Sequence, residues 1–185
     1  MKYLLAFSLG TLLLWSSCKE DDTQPVPSTE TTKTSLLTNA EWRLDEGTIN
    51  PSIDVEVVPG TTITVNSYWD LLAYAGGGQV LECDKDNRMI CKTDSSVVMD
   101  EGPTKCDSGD PQTTDGGKWN FEESETKLKF SSFPQDPTGE PRTLNIDMLS
   151  GTNLNLTMSY AFKNPITGDT TYHAIVMKYS NQKGK

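Results

Sequence analysis

Apolar and polar residues alternate along most of this chain, and a period of two predicts half-buried antiparallel β-strands. The clearest example is the segment RTLNIDMLSGTNLNLTMSY, which spans residues 142–160. Each half places alternate apolar residues on one face of a strand: Leu144, Ile146 and Met148 in the first, and Leu154, Leu156, Met158 and Tyr160 in the second. The polar residues 150–153 between them predict the turn of a β-hairpin.

The same alternation predicts further strands. Trp119 and Phe121 are followed by Leu128 and Phe130 across an acidic bend, which indicates a second hairpin, and a last strand covers residues 173–179. Shorter candidates lie at residues 42–49, 62–65, 88–92 and 96–99. The pattern therefore predicts about eight strands.

Only one stretch has the pattern of a helix. Ser67 with Asp70 three residues later is typical of a capping box, and an apolar cluster follows at residues 68–74. Three glycines at residues 76–78 then predict the end of the helix. One short helix among many strands indicates an all-β fold, either a barrel or a sandwich. We favour an antiparallel barrel, because closing the sheet removes edges that promote aggregation.

The first residues have the pattern of a secretory signal peptide. The apolar run at residues 3–15 is shorter than the roughly 20 residues that a membrane-spanning helix needs. A lone Lys2 precedes this run, and the small pair Ser16 and Ser17 follows it, as at a cleavage site. We therefore predict that residues 1–17 are a signal peptide.

Cys18 follows this site directly and resembles the lipobox cysteine of bacterial lipoproteins, whose thiol is lipidated and which becomes the new N-terminus. The alternative is an ordinary signal peptide with an incidental cysteine. Residues 19–22, KEDD, resemble the acidic export signal of surface lipoproteins in some Gram-negative bacteria, although a solvated acidic run has the same composition. These resemblances imply a protein that is lipid-anchored in the outer membrane and faces the cell exterior.

Composition separates the anchor from a folded domain. Residues 19–35 are rich in Thr, Pro and acidic residues with a single Val, which predicts a disordered tether. We therefore assign residues 18–35 to the lipidated cysteine and its tether, and residues 36–185 to one domain. The formal net charge is −10, and cleavage after residue 17 removes Lys2 and leaves −11. Such a charge argues against nucleic acid or anionic lipid as partners, so the anchor itself would bind the membrane.

Three segments resemble the lipocalin-like domain of bacterial surface lipoproteins. They are SLLTNAEWRL at the start of the domain, the cysteine-containing stretch from ECDKDNRMIC to KCDSGD with the GGKWNF strand after it, and the Leu-rich hairpin at residues 142–160. The similarity covers residues 36–182. It implies a calycin-type antiparallel β-barrel that can enclose a cavity. Many members of this family have no assigned ligand, so the resemblance predicts the fold but does not predict the ligand.

The resemblance also implies a disulfide between Cys83 and Cys106, because these residues fall in the matching segments. An exported chain folds in an oxidising compartment, where a disulfide is expected. Apart from Cys18 the chain has three cysteines, so only one internal bond can form. Cys91 alternates with Met89 and so faces the core, or else it is a free thiol or the partner of Cys83.

The sequence lacks the patterns of metal and catalytic sites. It has no cysteine and histidine pairs at zinc-binding spacing. The oxygen-bearing residues at 84–87 and 107–110 are the best calcium candidates, but their spacing does not match the EF-hand loop. His173, the only histidine, lies in a strand pattern, and no Gly-x-Ser-x-Gly nucleophile elbow is present. We therefore expect no metal, no cofactor and no catalysis.

Two binding hypotheses remain. In the first, the barrel holds a small apolar or amphipathic ligand, lined by the aromatic and Met side chains of the strands: Trp42, Trp119, Phe121, Met148, Met158 and Tyr160. The same residues form an ordinary core if the barrel is filled. In the second, a solid barrel docks a partner protein or a glycan through its acidic loops, and Trp69 and Tyr74 offer an aromatic platform.

Overall fold

Antiparallel strands dominate the fold, as the alternation predicts. The structure is a computed structural model that describes residues 31–58, 60–134, 136 and 139–185. Within those residues the strands are β1 (Trp42–Val58), β2 (Thr61–Ser67), β3 (Arg88–Cys91), β4 (Ser96–Asp100), β5 (Thr113–Glu122), β6 (Lys127–Phe130), β7 (Arg142–Leu149), β8 (Asn153–Lys163) and β9 (Thr170–Asn181). The helices are α1 (Lys33–Thr38), α2 (Tyr68–Gly76) and α3 (Glu82–Lys85).

The sheet closes into a barrel. Its strand order is β2-β1-β3-β4-β5-β6-β7-β8-β9, and a further antiparallel pairing between β1 and β9 joins the two sides. Eight strands therefore form the closed barrel, and β2 is an extra strand paired with the outer part of β1. The predicted antiparallel barrel of about eight strands is confirmed.

The seam between β1 and β3 is the part of the barrel wall with the fewest paired residues. Only two residue pairs join these strands, Trp42 with Met89 and Arg43 with Arg88. The Arg88 guanidinium also lies 2.7 Å from the Glu41 carboxylate. Beyond this point β1 leaves β3, and it pairs with β2 from Thr48 onwards. The divergence of the two strands leaves an opening beside the middle of β1.

Helix α2 lies at this opening. The Ser67 hydroxyl accepts the backbone N–H of Asp70 at 3.1 Å and donates to the Asp70 carboxylate at 2.6 Å, which fixes the start of the helix. Gly77 ends the helix with a φ of 70°, a conformation that favours glycine. The predicted helix and both of its ends are confirmed.

The first residue of α2, Tyr68, packs directly on the backbone of β1. A Cβ atom on residue 47 would lie 2.4 Å from the Cβ atom of Tyr68, so only glycine fits at this position. Tyr68 is buried, and Gly47 lies next to the register shift between Leu44 and Glu46 in the pairing of β1 with β9. The backbone of β1 is thus shaped to admit one aromatic side chain.

The barrel is filled by its own side chains. Ten of the residues with no solvent exposure come from six of the strands: Trp42, Met89, Cys91, Leu128, Phe130, Leu144, Leu154, Leu156, Ile175 and Met177. A cavity that held water would expose the side chains on its wall, so these residues leave no room for a ligand beside them. At the end of the barrel near α1, the Trp42 indole N–H donates to the carbonyl oxygen of Leu37 at 3.0 Å.

Two of the three helices have no counterpart in the sequence prediction. Helix α1 begins at a Thr32 side chain that accepts the Ser35 N–H at 3.1 Å, and α3 is a single turn. Helix α1 begins at Lys33, so the end of the predicted tether, residues 33–35, belongs to α1. The predicted signal peptide, Cys18 and the rest of the tether lie outside the described residues. No helix within the described ranges has the length and apolarity needed to cross a bilayer.

We predict that Gly47→Ala destabilises the protein by about 1–3 kcal/mol, because the added methyl group overlaps Tyr68 and both sides of the contact are packed. Urea unfolding followed by circular dichroism measures the change. Gly76→Ala is the matched control, since a Cβ atom there meets nothing within 4 Å. Equal stability of the two variants would show that α2 shifts freely over β1.

Candidate functional site

A cleft of about 310 Å³ opens beside α2. Helix α2 and the glycines after it form one wall, and the opposite wall comes from α3, β4 and the segment between β6 and β7. The apolar lining is Trp69, Leu72, Ala73, Val80, Met99 and Pro134, and the polar lining is Gln79, Asp84, Asn87 and Asp136. The cleft thus combines an apolar floor with carboxylate and amide groups.

A smaller cavity of about 40 Å³ adjoins the cleft and shares Leu72 and Asp136 with it. Its other lining residues are Tyr68, Leu71, Ala75, Arg142, Met158 and Tyr160. The volume suits a single water molecule rather than a ligand. The Arg142 guanidinium donates to Asp136 Oδ2 from Nε at 2.7 Å and from Nη2 at 2.5 Å, so the polar end of the cavity is an ion pair.

Electrostatics at this cavity keep its tyrosines protonated. Burial raises the pKa of Tyr68 well above its ordinary value, and the nearby negative charge of Asp136 adds to the effect. The same two causes, in the same order, raise the pKa of Tyr160, which is less deeply buried. Both phenols are therefore hydrogen-bonding groups rather than bases at neutral pH.

Three contacts hold α3 and the loop after β4 as one wall of the cleft. Cys83 and Cys106 form a disulfide, with Cα atoms 5.3 Å apart. In the orientation that its neighbours favour, the Asn87 side-chain nitrogen donates to the carbonyl oxygens of Cys83 at 3.2 Å and Glu101 at 3.0 Å. Gly102 has a φ of 70°, and a Cβ atom there would lie 2.4 Å from the carbonyl oxygen of Asp86. The disulfide implied by the resemblance is present, and it braces the site.

The wall formed by α3 and the loop after β4 offers few ligands for a metal ion. Among the described residues, the one group of metal-binding side chains within reach of a common ion is Cys83, Asp84 and Cys106. The two sulfur atoms are bonded to each other and cannot act as thiolates. Asp84 Oδ2 already accepts the backbone N–H of Leu81 at 2.7 Å. This group therefore offers an ion a single carboxylate.

Trp69 separates two depressions in the surface. It lines the cleft and also an open depression of about 420 Å³ beside the seam of the barrel. That depression is strongly polar; its other lining residues are Arg43, Leu44, Asp45, Glu82, Lys85 and Asp86. Trp69 thus stands in the opening between β1 and α3, half-buried, with carboxylates on both sides.

The six predicted ligand-binding residues do not form one site. Trp42 is buried near α1, and the Trp119 indole N–H donates to the carbonyl oxygen of Lys92 at 2.9 Å with Phe121 packed edge-on against its ring at 5.4 Å. Only Met158 and Tyr160 reach the cavity beside the cleft. Two of the six candidates thus lie beside the small cavity, whereas the buried Trp42 lies near α1.

Met148 is the clearest error, because its side chain is 49% exposed. The pairing of β7 with β8 shifts between Ile146 and Met148, which marks a β-bulge. One extra residue in a strand reverses the alternation after it. Leu149 therefore packs against the core in place of Met148.

Two further candidates from the sequence have structural roles. Cys91 is a free thiol that is fully buried, and burial raises its pKa to about 12, so the unreactive core position is the correct alternative. His173 is buried and donates from Nδ1 to the carbonyl oxygen of Pro51 at 2.7 Å, while Nε2 lies 2.7 Å from the Thr171 hydroxyl. Both ring nitrogens are engaged, which suits a strand anchor better than a general base.

Sequence reasoning missed most of the cleft. Leu72, Met99 and Pro134 come from segments that are far apart in the chain, and each has an ordinary local pattern. Of the two residues that the sequence predicts as an aromatic platform, Trp69 lies at the cleft. Tyr74 packs edge-on against Phe162, with ring centroids 6.3 Å apart. The helix pattern predicts the position of Trp69 in α2, but no pattern in the sequence predicts that it lies near β4.

Compared with protein-family models and with curated protein sequences, the chain has no significant match.

We predict that the Cys83→Ala/Cys106→Ala double variant is roughly 3 kcal/mol less stable than the parent protein, because the bond closes a loop with a sequence separation of 23 residues. Urea unfolding with and without a reducing agent measures this difference. The double variant is the control for the reducing agent, which should lower the unfolding midpoint of the parent protein and leave that of the double variant unchanged. If the reducing agent left the unfolding midpoint of the parent protein unchanged, the bracing role of the disulfide would be contradicted.

Proposed function

We propose that this protein is a lipid-anchored, non-catalytic binding protein of the bacterial cell surface, similar to lipocalin-like lipoproteins, and that its ligand is a small apolar or amphipathic molecule held in the cleft beside Trp69. The observation that carries the proposal is the position of the cleft, beside α2 and outside a barrel whose interior is filled. A ligand would therefore bind next to α2 rather than in the centre of the barrel.

The lining of the cleft suits such a ligand. A volume of about 310 Å³ lies at the lower end of the range for small-molecule pockets. Trp69, Leu72 and Met99 supply apolar contact, and Asp84 and Asn87 can accept hydrogen bonds at the rim. A compact molecule with an apolar body and a hydrogen-bond donor matches this pattern of groups.

The packed interior also favours a second candidate function. A solid barrel can serve as a rigid support for docking a partner through its surface, and the acidic loop at residues 107–115 is exposed for that purpose. The two functions differ in what the cleft does, so a test directed at the cleft separates them.

We predict that Nile red, a neutral apolar dye, binds the protein with increased fluorescence, and that Leu72→Gln weakens this binding about tenfold through the loss of roughly 1.4 kcal/mol of apolar contact. A fluorescence titration gives the affinities. Native mass spectrometry beside a denatured spectrum shows in parallel whether the purified protein carries a ligand.

Leu81→Gln is the matched control, because Leu81 is 51% exposed and does not line the cleft. It should bind the dye as the parent protein does. Equal loss in both variants, or no dye binding together with identical native and denatured masses, would overturn the cleft as a ligand site and leave docking as the function.

A separate prediction concerns the anchor. Expression of the full chain in a Gram-negative host should give a mature protein that begins at Cys18, carries a mass increase from acyl chains and fractionates with the outer membrane. Cys18→Ser should release it to the soluble fraction, whereas the neighbouring substitution Lys19→Ser should leave it membrane-bound. Membrane association of the Cys18→Ser variant would contradict lipidation at this residue.

A further inference from the structure

Strand β2 has one edge without a partner among the described residues. It pairs with β1 along one side only, from Val65 opposite Ile53 to Thr61 opposite Val58. Its sequence, TTITVNS, contains no charged residue and no proline. Natural proteins usually protect an exposed edge with such residues, because an open edge is a template for another strand. The edge of β2 carries none of these protections.

A groove runs between this edge and α2. Its volume is about 550 Å³, and it is lined by Ile63, Thr64, Val65, Asp70, Ala73, Tyr74, Gly77 and Gly78. Ile63 and Val65 point to the same face of the sheet, because side chains alternate along a strand. An added strand would lie along the edge and place every second side chain in this groove.

The tip of the β1–β2 hairpin exposes apolar side chains next to the groove. Val57, Val58 and Ile63 are 43%, 55% and 40% exposed. Ile63 shares a sheet face with Val55, its partner in the register, yet Val55 is buried and Ile63 is exposed. The apolar surface of the hairpin therefore continues beyond the domain's own core.

The charge of this region identifies the kind of partner. From Leu44 to Asp84 the chain has no Lys or Arg. The same stretch carries seven carboxylates: Asp45, Glu46, Asp54, Glu56, Asp70, Glu82 and Asp84. Three of them form ion pairs with residues outside the stretch, Asp45 with Arg43, Glu46 with Lys178 and Glu82 with Lys85, so the carboxylates nearest β2 are the ones that decide the choice of partner. Asp54 and Glu56 lie on the strand that pairs with β2, and Asp70 lines the groove. A second copy of this chain would present the same negative charge, whereas a basic segment would be attracted.

We propose that the open edge of β2 binds an extended segment of a partner protein, with alternating apolar residues flanked by Lys or Arg, by adding it as a further antiparallel or parallel strand. Main-chain hydrogen bonds to β2 supply the affinity, the groove receives the alternate apolar side chains, and the surrounding carboxylates select basic flanks. The groove adjoins the cleft and shares Ala73 and Gly78 with it, but the proposal does not depend on the ligand proposed for the cleft.

The probe for this proposal is a fluorescently labelled peptide of sequence KTVTITVK, acetylated and amidated at its ends. Fluorescence anisotropy gives its affinity for the protein, and amide hydrogen exchange shows whether β2 becomes protected. The same peptide with Glu in place of Lys should bind at least about tenfold more weakly, because the region is acidic. A peptide with alternate backbone amides N-methylated should not bind, because it cannot complete the ladder.

Protein variants locate the site. Ile63→Lys should reduce affinity for the basic peptide about tenfold or more, because it places a like charge in the groove. Tyr172→Lys is the matched control, since Tyr172 is 72% exposed on the β8–β9 hairpin and should bind within about twofold of the parent. If Ile63→Lys fails to fold, Asp54→Asn/Glu56→Gln tests the charge alone, with severalfold weaker binding and a smaller effect of salt.

Several results would overturn the proposal. They are absence of peptide binding, equal binding of the N-methylated peptide, and equal binding by Ile63→Lys and Tyr172→Lys. A parent protein that sediments as a dimer, with Ile63→Lys a monomer, would assign the edge to a second copy instead. Loss of peptide binding in Leu72→Gln would place the peptide in the cleft, whereas failure of dye binding alone would leave this edge unaffected.

Discussion

The close contact between Gly47 and Tyr68 is the constraint on which the position of α2 depends. The absence of a side chain at residue 47 lets Tyr68 lie against the backbone of β1, and the Ser67 cap starts α2 directly before it. Strand β1 has already left β3 at this point, so the helix occupies the opening that results. A larger residue at position 47 would force α2 outward and change every surface that the helix forms.

Both proposed binding surfaces are built on this one helix. Trp69 and Leu72 line the cleft, Tyr74 lines the groove beside β2, and Ala73 lines both. The opposite wall of the cleft is braced independently, by the disulfide and by the close approach of Gly102 to Asp86. The cleft is therefore held between two separately fixed walls. The groove has one wall that is a strand edge, and it can gain a strand without disturbing the core.

Sequence patterns predict the parts of this fold whose determinants are local. The hairpin at residues 142–160 follows from alternation, and α2 follows from its cap and its glycines. The predicted inward position of Met148 is wrong because a β-bulge adds one residue to β7 and reverses which side chains face the core after it. The alternation of apolar and polar residues does not show where such an extra residue lies. Helix α1 was missed because six residues with a single capping threonine leave almost no periodic signal. The cleft could not be predicted, because Leu72, Met99 and Pro134 meet only through the closure of the barrel.

The same closure explains why the aromatic residues were assigned to a cavity that they do not form. An eight-stranded barrel has an interior that side chains can just fill, so large inward-facing residues are as compatible with a solid core as with a ligand site. Here Trp42 and Phe130 have no solvent exposure, and Trp42 and Trp119 each use the indole N–H on a nearby carbonyl oxygen. An indole committed to the backbone in this way is a structural element of the barrel. The half-buried Trp69 lies instead in the opening of the wall, where an aromatic side chain can still meet a ligand.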